Sequence, residues 1–449
     1  MQTRPQTPQP SLRRALGRWD LTAIGVNQVI GGAIFLMPAD VARQVGNWAP
    51  IALLTIGIAS LAVALCFAEV GSRFEGTGGP YLYTRAAFGR FVAFEVGWMQ
   101  WFTRATSQAS VANGIALAMG FYFPFLVGGA GRAAMLTAIT LTLLWINVRG
   151  IRQSAWVVNT LTVGKLVPLF VFVIGGLFFI EPGRFAELPP ITVEQASTAA
   201  LLLIFTFGGY DVIGVPAGEA TDPRRHIPFA FVTTILLVTA LFVLGQIVAM
   251  SVLPDVTATR TPMADAAALM FGAAGALMIS VGSVISMTGN NAGQVLTGSR
   301  MLFALAENDE LPRWFGRVHP EYRTPSNSVI FTALVALALM LSGSFVFLAA
   351  VSAVARLITY TGACAATLAL RRPRFDGVVQ PATFVVPGGR LIPLFAIASS
   401  MLILVMANRQ QLLSGIAALV AGALLFWMND RRAKAAKQMT NLRIDELTN

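Results

Sequence analysis

The chain has 449 residues, of which 55% are hydrophobic and only 12% are charged. This balance inverts the excess of polar surface found in soluble proteins and indicates that lipid is the solvent. The net charge of +11 would suggest a nucleic-acid partner in a soluble protein, but the basic residues are placed as in a membrane protein, so no nucleic acid is expected.

Apolar residues recur in blocks of about 20, the length that a helix needs to cross a hydrocarbon core of about 30 Å. The blocks are continuously apolar rather than alternating, which favours helices over a β-barrel. We therefore predict an all-α polytopic membrane protein with about 12 transmembrane helices. The predicted spans cover residues 19–43, 48–70, 86–121, 132–148, 156–180, 196–217, 228–252, 266–304, 327–343, 346–370, 390–407 and 411–428.

The two ends of the chain are polar and basic. The first 18 residues lack the apolar core and small-residue cleavage site of a secretory signal, so we predict a retained tail over residues 1–18 and a second tail over 429–449. Most of the 32 Lys and Arg residues fall on the same side of the predicted topology as these tails. The positive-inside rule then places both termini in the cytoplasm.

Glycine pairs interrupt two of the predicted spans. Gly31 and Gly32 lie in span 1, and Gly208 and Gly209 lie in span 6. A helix that loses its hydrogen-bond ladder inside the membrane exposes N–H and C=O groups, which is tolerated only around a cavity. The N–H end suits a carboxylate and the carbonyl end suits an ammonium group. Close helix packing at small residues is the alternative interpretation.

The spacing of the two breaks predicts an internal repeat. Spans 1 and 6 are five spans apart, which indicates a 5+5 inverted repeat. The first repeat would cover residues 19–180 and the second residues 196–370. The last two spans, within 390–428, would be peripheral.

Several short motifs occur along the chain in a fixed order. They are GGAIF (31–35), FAEV (67–70) followed by GGPY (78–81), NVRG (147–150), GEATDPRR (218–225) and SRMLFA (299–304). They resemble the amino acid–polyamine–organocation superfamily, and within it the bacterial amino acid permeases with a LeuT-type fold. The family usually reads Gly-Ser/Thr-Gly in the first motif, whereas this chain reads Gly31-Gly32-Ala33, so a hydroxyl and one glycine are missing.

The resemblance implies a secondary transporter of amino acids in the cytoplasmic (inner) membrane, working by alternating access. Spans 1, 2, 6 and 7 would rock against spans 3, 4, 5, 8, 9 and 10. Backbone N–H groups of span 1 would take the substrate carboxylate, carbonyls of both breaks its amine, and Phe205 would resemble an aromatic lid, unless it is ordinary packing. The predicted substrate-binding residues are Val29, Gly31, Gly32, Ala33, Arg104, Gln108, Phe205, Gly208 and Gly209.

Two charged residues are predicted to couple transport to protons. Lys165 is the only one of three lysines within a predicted span, a costly placement unless it faces a partner or a watery path. By resemblance, a lysine in span 5 stands where related transporters bind sodium, next to the broken part of span 1, which implies proton coupling without sodium; snorkelling to the interface is the alternative. Asp211 is either a helix N-cap or, by resemblance, part of the proton linkage.

Two arginines also lie inside predicted spans. Arg104 in span 3 has a fork that can bond both oxygens of a carboxylate, so it suggests an acidic substrate side chain or a second contact to the substrate carboxylate. The favoured alternative is a structural pair with Glu95 or Asp211. For Arg356 in span 10 we favour a structural role.

The chain lacks the marks of an enzyme. Its only histidines, His226 and His319, fall in predicted loops, and it has no phosphate-cradling Gly-Lys-Ser/Thr loop. Cys66 and Cys364 lie within apolar runs and give no support for a metal site or a disulfide framework. We expect no catalytic residue, cofactor or metal. A sodium symporter, an exchanger and a nutrient sensor remain alternatives, and the identity of the amino acid and the oligomeric state stay open.

Overall fold

The computed structural model describes residue 14 and residues 16–448, except 121, 150 and 323. Most of the predicted N-terminal tail, residues 1–18, therefore lies outside the described residues. The α-helices of the described part are α1 (Arg18–Val29), α2 (Ala33–Val45), α3 (Ala49–Gly71), α4 (Pro80–Phe88), α5 (Arg90–Gly120), α6 (Gly129–Arg149), α7 (Ile151–Gly176), α8 (Val193–Thr206), α9 (Pro223–Val252), α10 (Pro262–Glu307), α11 (Ser326–Ser342), α12 (Phe345–Ala369), α13 (Leu391–Val405) and α14 (Arg409–Thr448).

The apolar blocks of the sequence become long helices. In the described part of the chain, seven helical stretches are long and apolar enough to cross a membrane, and α11 and α13 are shorter apolar helices. Large apolar side chains such as Leu141, Phe178 and Leu402 are exposed on the outside of the bundle. In water this surface would be costly, whereas lipid tails cover it without penalty. The chain is a multi-pass α-helical membrane protein, as predicted.

Side-chain caps begin several of these helices. Before α8, the Thr192 hydroxyl accepts a hydrogen bond from the Gln195 amide at 3.2 Å, and the Gln195 side chain accepts one from the Thr192 amide at 2.8 Å. This reciprocal pair is a capping box. At the start of α9, the Asp222 side chain accepts a hydrogen bond from the Arg225 amide. Pro223 occupies the first turn of this helix, where the missing amide hydrogen of a proline has no cost.

The chain leaves helical geometry within the first and sixth predicted spans. Residues 30–32 separate α1 from α2, and α8 ends at Thr206. The sequence predicted that span 6 continues to residue 217, but residues 207–217 form no α-helix. Instead there are turns and short 3₁₀ segments, because Gly209 has a φ of 132° and Pro216 supplies no amide hydrogen. Asp211 therefore lies within a 3₁₀ turn, and the N-cap interpretation is wrong.

The two breaks contact each other directly. A side chain at position 209 would overlap the carbonyl group of Gln28, near the end of α1. Glycine is required at 209 for this close approach, in addition to its positive φ. The two interruptions thus form one irregular layer in the middle of the bundle.

Two sets of helices enclose this layer. On one side α9 packs against α1 and α3, and α2 packs against α8. On the other side α5 packs against α10 and α12, and α10 packs against α7. Because the breaks lie between these sets, side chains of α7 and α10 reach the backbone groups that the first break exposes.

Candidate functional site

A small cavity lies between the two breaks. It encloses about 20 Å³, which is room for about one or two water molecules. An amino acid does not fit unless the walls move apart. The cavity is lined by Gln28, Val29, Gly31, Gly32, Ala33, Ser107, Val111, Phe205, Gly208, Asn290, Gln294 and Arg356.

Six of the nine predicted substrate-binding residues line this cavity, and three do not. Arg104, Gln108 and Gly209 are buried beside it, and Gly209 supports the wall at Gln28. Phe205 lines the cavity, and its ring meets that of Phe345 edge to face at 6.2 Å. The lining residues are Val29, Gly31, Gly32, Ala33, Phe205 and Gly208.

Lys165 joins α7 to the end of α1. Its Nζ donates hydrogen bonds to the carbonyl oxygens of Asn27 at 2.8 Å and Ile30 at 2.6 Å. The side chain is fully buried, so it does not snorkel to an interface. The ammonium group of Lys165 thus provides positive charge at two carbonyl oxygens of the broken helix.

Side chains of α10 take further carbonyls at the same break. Asn290 Nδ2 donates to the carbonyl oxygen of Gln28 at 2.8 Å, and Ser286 Oγ donates to that of Gly31 at 2.9 Å. The protein itself thus satisfies the carbonyl groups that the end of α1 exposes. The first N–H groups of α2 have no partner in the helix ladder, because the first turn of any helix leaves them free.

A buried ion pair links α5 to the chain after α8. The Arg104 guanidinium contacts the Asp211 carboxylate through Nη2 and Oδ2, and both side chains are buried. Gln100 Nε2 donates to the same Asp211 oxygen at 3.2 Å, and Arg104 Nη1 donates to Gln294 Oε1 at 3.3 Å. Of the alternatives for Arg104, the structure thus contains the pair with Asp211.

Arg356 enters the cavity from α12. Its Nη2 donates to Ser107 Oγ at 3.1 Å, and its Nη1 lies 3.8 Å from Asp211 Oδ1. The guanidinium rests against the backbone of Gly208, so that any side chain at 208 would overlap it. Gly208 therefore both interrupts α8 and leaves room for an arginine.

Sequence reasoning missed several of the lining residues. Gln28, Ser107, Val111, Asn290 and Gln294 were not predicted as site residues. A usable signal was present in α10, because Asn290 and Gln294 are four residues apart within an apolar span. Polar residues at this spacing share one helix face and in membranes usually face protein or a cavity.

Sequence comparisons with known proteins identify the family of this chain. The sequence profile of the amino acid permease family matches residues 16–427. The chain is 29% identical over 414 residues to the serine/threonine exchanger SteT of Bacillus subtilis, covering 89% of this chain and 92% of that protein. It is also 26% identical over 347 residues to a methylthioribose transporter of the same organism, covering 74% and 75%.

A third relative covers nearly the whole chain. The branched-chain amino acid permease BcaP of Bacillus subtilis is 24% identical over 453 residues, covering 96% of both proteins. These relatives are transporters, which confirms the prediction that the chain is not an enzyme. With a family match over most of its length, this chain belongs to the amino acid permease family of the amino acid–polyamine–organocation superfamily.

Proposed function

We propose that this chain is a secondary transporter that carries amino acids across the cytoplasmic membrane by alternating access, coupled to protons and independent of sodium. The observation that carries the proposal is the meeting of two broken segments around one small cavity. Free backbone N–H groups, carbonyl groups and buried polar side chains converge there, which is the arrangement that binds small polar substrates in transporters with discontinuous helices.

The two charged groups of the substrate would bind at different ends of the broken segments. The α-carboxylate would bind the N–H groups of Gly32 and Ala33 at the start of α2, where the helix dipole favours negative charge. The ammonium group would bind the carbonyl oxygens of Val29 and Phe205. Each of these accepts one backbone hydrogen bond, from Gly31 at 2.9 Å and Gly208 at 3.0 Å, and a carbonyl oxygen has a second lone pair.

Lys165 would carry the coupled proton. As an ammonium it holds α1 through two charge-assisted hydrogen bonds, the stronger class of hydrogen bond. When the ammonium loses a proton, both bonds lose their charge assistance, and α1 is held less tightly and can move with the substrate. Asp211 would take part through its pair with Arg104, which ties the chain after α8 to α5.

The proposed motion divides the spans as the family resemblance implies. About 12 spans would form an inverted repeat over residues 19–180 and 196–370, with α1, α2, α3, α8 and α9 rocking against α5, α6, α7, α10, α11 and α12. The spans within 390–428 would be peripheral. Both tails, 1–18 and 429–449, would lie in the cytoplasm.

Uptake into proteoliposomes tests the coupling. Purified protein is reconstituted, a proton or sodium gradient is imposed, and a panel of labelled amino acids is offered to the wild type and to Lys165→Ala. We expect proton-driven accumulation that the substitution abolishes. Sodium-driven uptake would overturn the proposed coupling, and the absence of uptake for every amino acid would overturn the proposed function.

Obligatory exchange is a second candidate, because the exchanger SteT matches 89% of this chain. Liposomes preloaded with unlabelled substrate distinguish the two. An exchanger takes up label only into preloaded liposomes, whereas a symporter also fills empty ones when the proton gradient is present. The same assay separates lost coupling from lost folding, because Lys165→Ala that still exchanges substrate is folded.

A further inference from the structure

The cavity region holds more positive than negative charge. Arg356 lines the cavity and Arg104 lies beside it, while Asp211 is the carboxylate in contact with both guanidinium groups. Asp211 uses Oδ2 for Arg104 and Gln100. The Asp211 carboxylate is thus the shared ion-pair partner of both arginines, and Arg104 makes the closer contact.

Arg356 is left with unused donors. Its side chain is 2% exposed, and within the described residues its Nε and Nη1 have no hydrogen-bond partner. The 3.8 Å separation from Asp211 Oδ1 is too long for a hydrogen bond. A buried arginine in this condition carries a desolvation cost that a second anion would remove.

Arg356 and the start of α2 line the same cavity. Arg356, Gly32 and Ala33 all line it. The start of α2 suits a carboxylate through its backbone N–H groups and the helix dipole. The Arg356 guanidinium suits a carboxylate because its N–H donors lie in one plane and can bond both oxygens. A substrate with one carboxylate satisfies only one of them.

We propose that Arg356 binds a second carboxylate of the substrate, so that the transported amino acids are the acidic ones. The inference rests on the proposed function and adds the substrate class. In this arrangement Arg104 is a positioning residue: it holds Asp211 through Oδ2, and Asp211 Oδ1 stays 3.8 Å from Arg356 Nη1, beyond hydrogen-bond distance. Gly208 supplies the space in which the guanidinium lies.

A neutral amino acid of the same shape would bind poorly. Glutamine in place of glutamate offers no charge to Arg356, and the Nε and Nη1 donors of the arginine stay buried without a charged acceptor. Sites built around a buried polar partner reject analogues that lack the matching group. From the usual strength of charged hydrogen bonds, we expect glutamate to be favoured over glutamine by at least about tenfold in kcat/KM.

The test compares matched substrates in matched variants. Uptake of glutamate, glutamine, aspartate and asparagine is measured in proteoliposomes for the wild type, Arg356→Gln, Arg356→Lys and the control Arg313→Gln. Arg313 is 92% exposed and lies away from the cavity, so Arg313→Gln should keep the wild-type preference. Arg356→Gln should lower the glutamate-to-glutamine ratio by at least about tenfold, and Arg356→Lys should retain part of it, since a lysine keeps the charge but loses the fork.

The outcomes separate this inference from the proposed function. If neutral amino acids are carried as well as acidic ones by the wild type, the inference fails and the transporter remains. If no amino acid is taken up, glutamate-dependent thermal stabilisation of the detergent-solubilised wild type, absent with glutamine, would support the subsite while overturning transport, and its absence would overturn both.

A fallback for a misfolded variant and a competition experiment extend this test. If Arg356→Gln does not fold, the preference of the wild type decides the question by itself. Succinate, which has two carboxylates and no amine, serves as a competitor for the wild type. Competition as strong as that of unlabelled glutamate would overturn the assignment to amino acids, because the site would then read only the two carboxylates.

Discussion

The Arg104 guanidinium and the Asp211 carboxylate form a buried ion pair that fastens α5 to the irregular segment after α8. The pair lies beside the central cavity, and the same carboxylate stands 3.8 Å from the guanidinium of Arg356, which lines the cavity. The charge balance at the cavity therefore depends on this contact.

Replacing Asp211 by asparagine should destabilise the protein strongly. Arg104 and Arg356 would both lose their carboxylate in a buried setting, and breaking such a pair typically costs about 3–5 kcal/mol. We expect a lower melting temperature of the purified protein in detergent. Asp255→Asn is the control, since Asp255 lies in the exposed connection between α9 and α10. The double variant Arg104→Gln with Asp211→Asn should recover part of the loss, and an unchanged melting temperature of Asp211→Asn would contradict the account.

Replacing Gly208 by alanine should impair transport more than folding. The new methyl group would overlap the Arg356 guanidinium, which must then leave its place at the cavity wall. We expect kcat/KM for the preferred substrate to fall by at least about tenfold. Gly245→Ala in α9 is the matched control, because the nearest atom to the added Cβ would be 3.5 Å away. Equal uptake by the two glycine variants would argue against a role for the Arg356 position.

A second buried carboxylate ties α3 to the end of α12. Glu69 accepts hydrogen bonds from Arg371 Nε at 2.7 Å and from the Val386 amide at 2.8 Å. Under the proposed topology this contact closes the cytoplasmic side. Glu69→Gln would remove its charge and weaken the hold on Arg371.

If the weaker contact opens the cytoplasmic side, thiol labelling can detect the change. Cys66 is buried on α3, one turn before Glu69, so its reaction with a membrane-permeant maleimide reports access from that side. In a Cys364→Ala background, we expect Glu69→Gln to speed the labelling of Cys66 several-fold. Glu75→Gln, at an exposed ion pair with Arg14, should leave the rate unchanged. Equal rates in both variants would show that the Glu69 contact does not hold the side closed.

The sequence predicts the helices well because burial in lipid leaves a local pattern. Each apolar block overlaps an observed helix, and the glycine pairs coincide with the interruptions at 30–32 and after Thr206. The boundary near residue 89 was less accurate: Gly89, with a φ of 85°, separates α4 from α5, whereas the predicted span begins at residue 86. A single glycine in a mixed segment gives little warning of a helix end.

The contacts of the site depend on residues far apart in sequence. Lys165 was expected near the break of span 1, but the family resemblance gave no means of selecting Asn27 and Ile30 as its partners. The relation between Gly208 and Arg356 was missed altogether. Glycine has no pattern that distinguishes a helix break from space for a distant side chain, and only the packing of α12 against α8 brings the two together.

Thiol labelling tests whether the substrate occupies the cavity between the breaks. In a background with Cys66→Ala and Cys364→Ala, Val111→Cys places a thiol at the cavity wall, and Arg313→Cys, at a position that is 92% exposed after the end of α10, is the control. We expect the transported amino acid to slow maleimide labelling at position 111 but not at 313, and labelling at 111 to stop uptake. Undiminished uptake after complete labelling of position 111, with no protection by substrate, would contradict binding in this cavity.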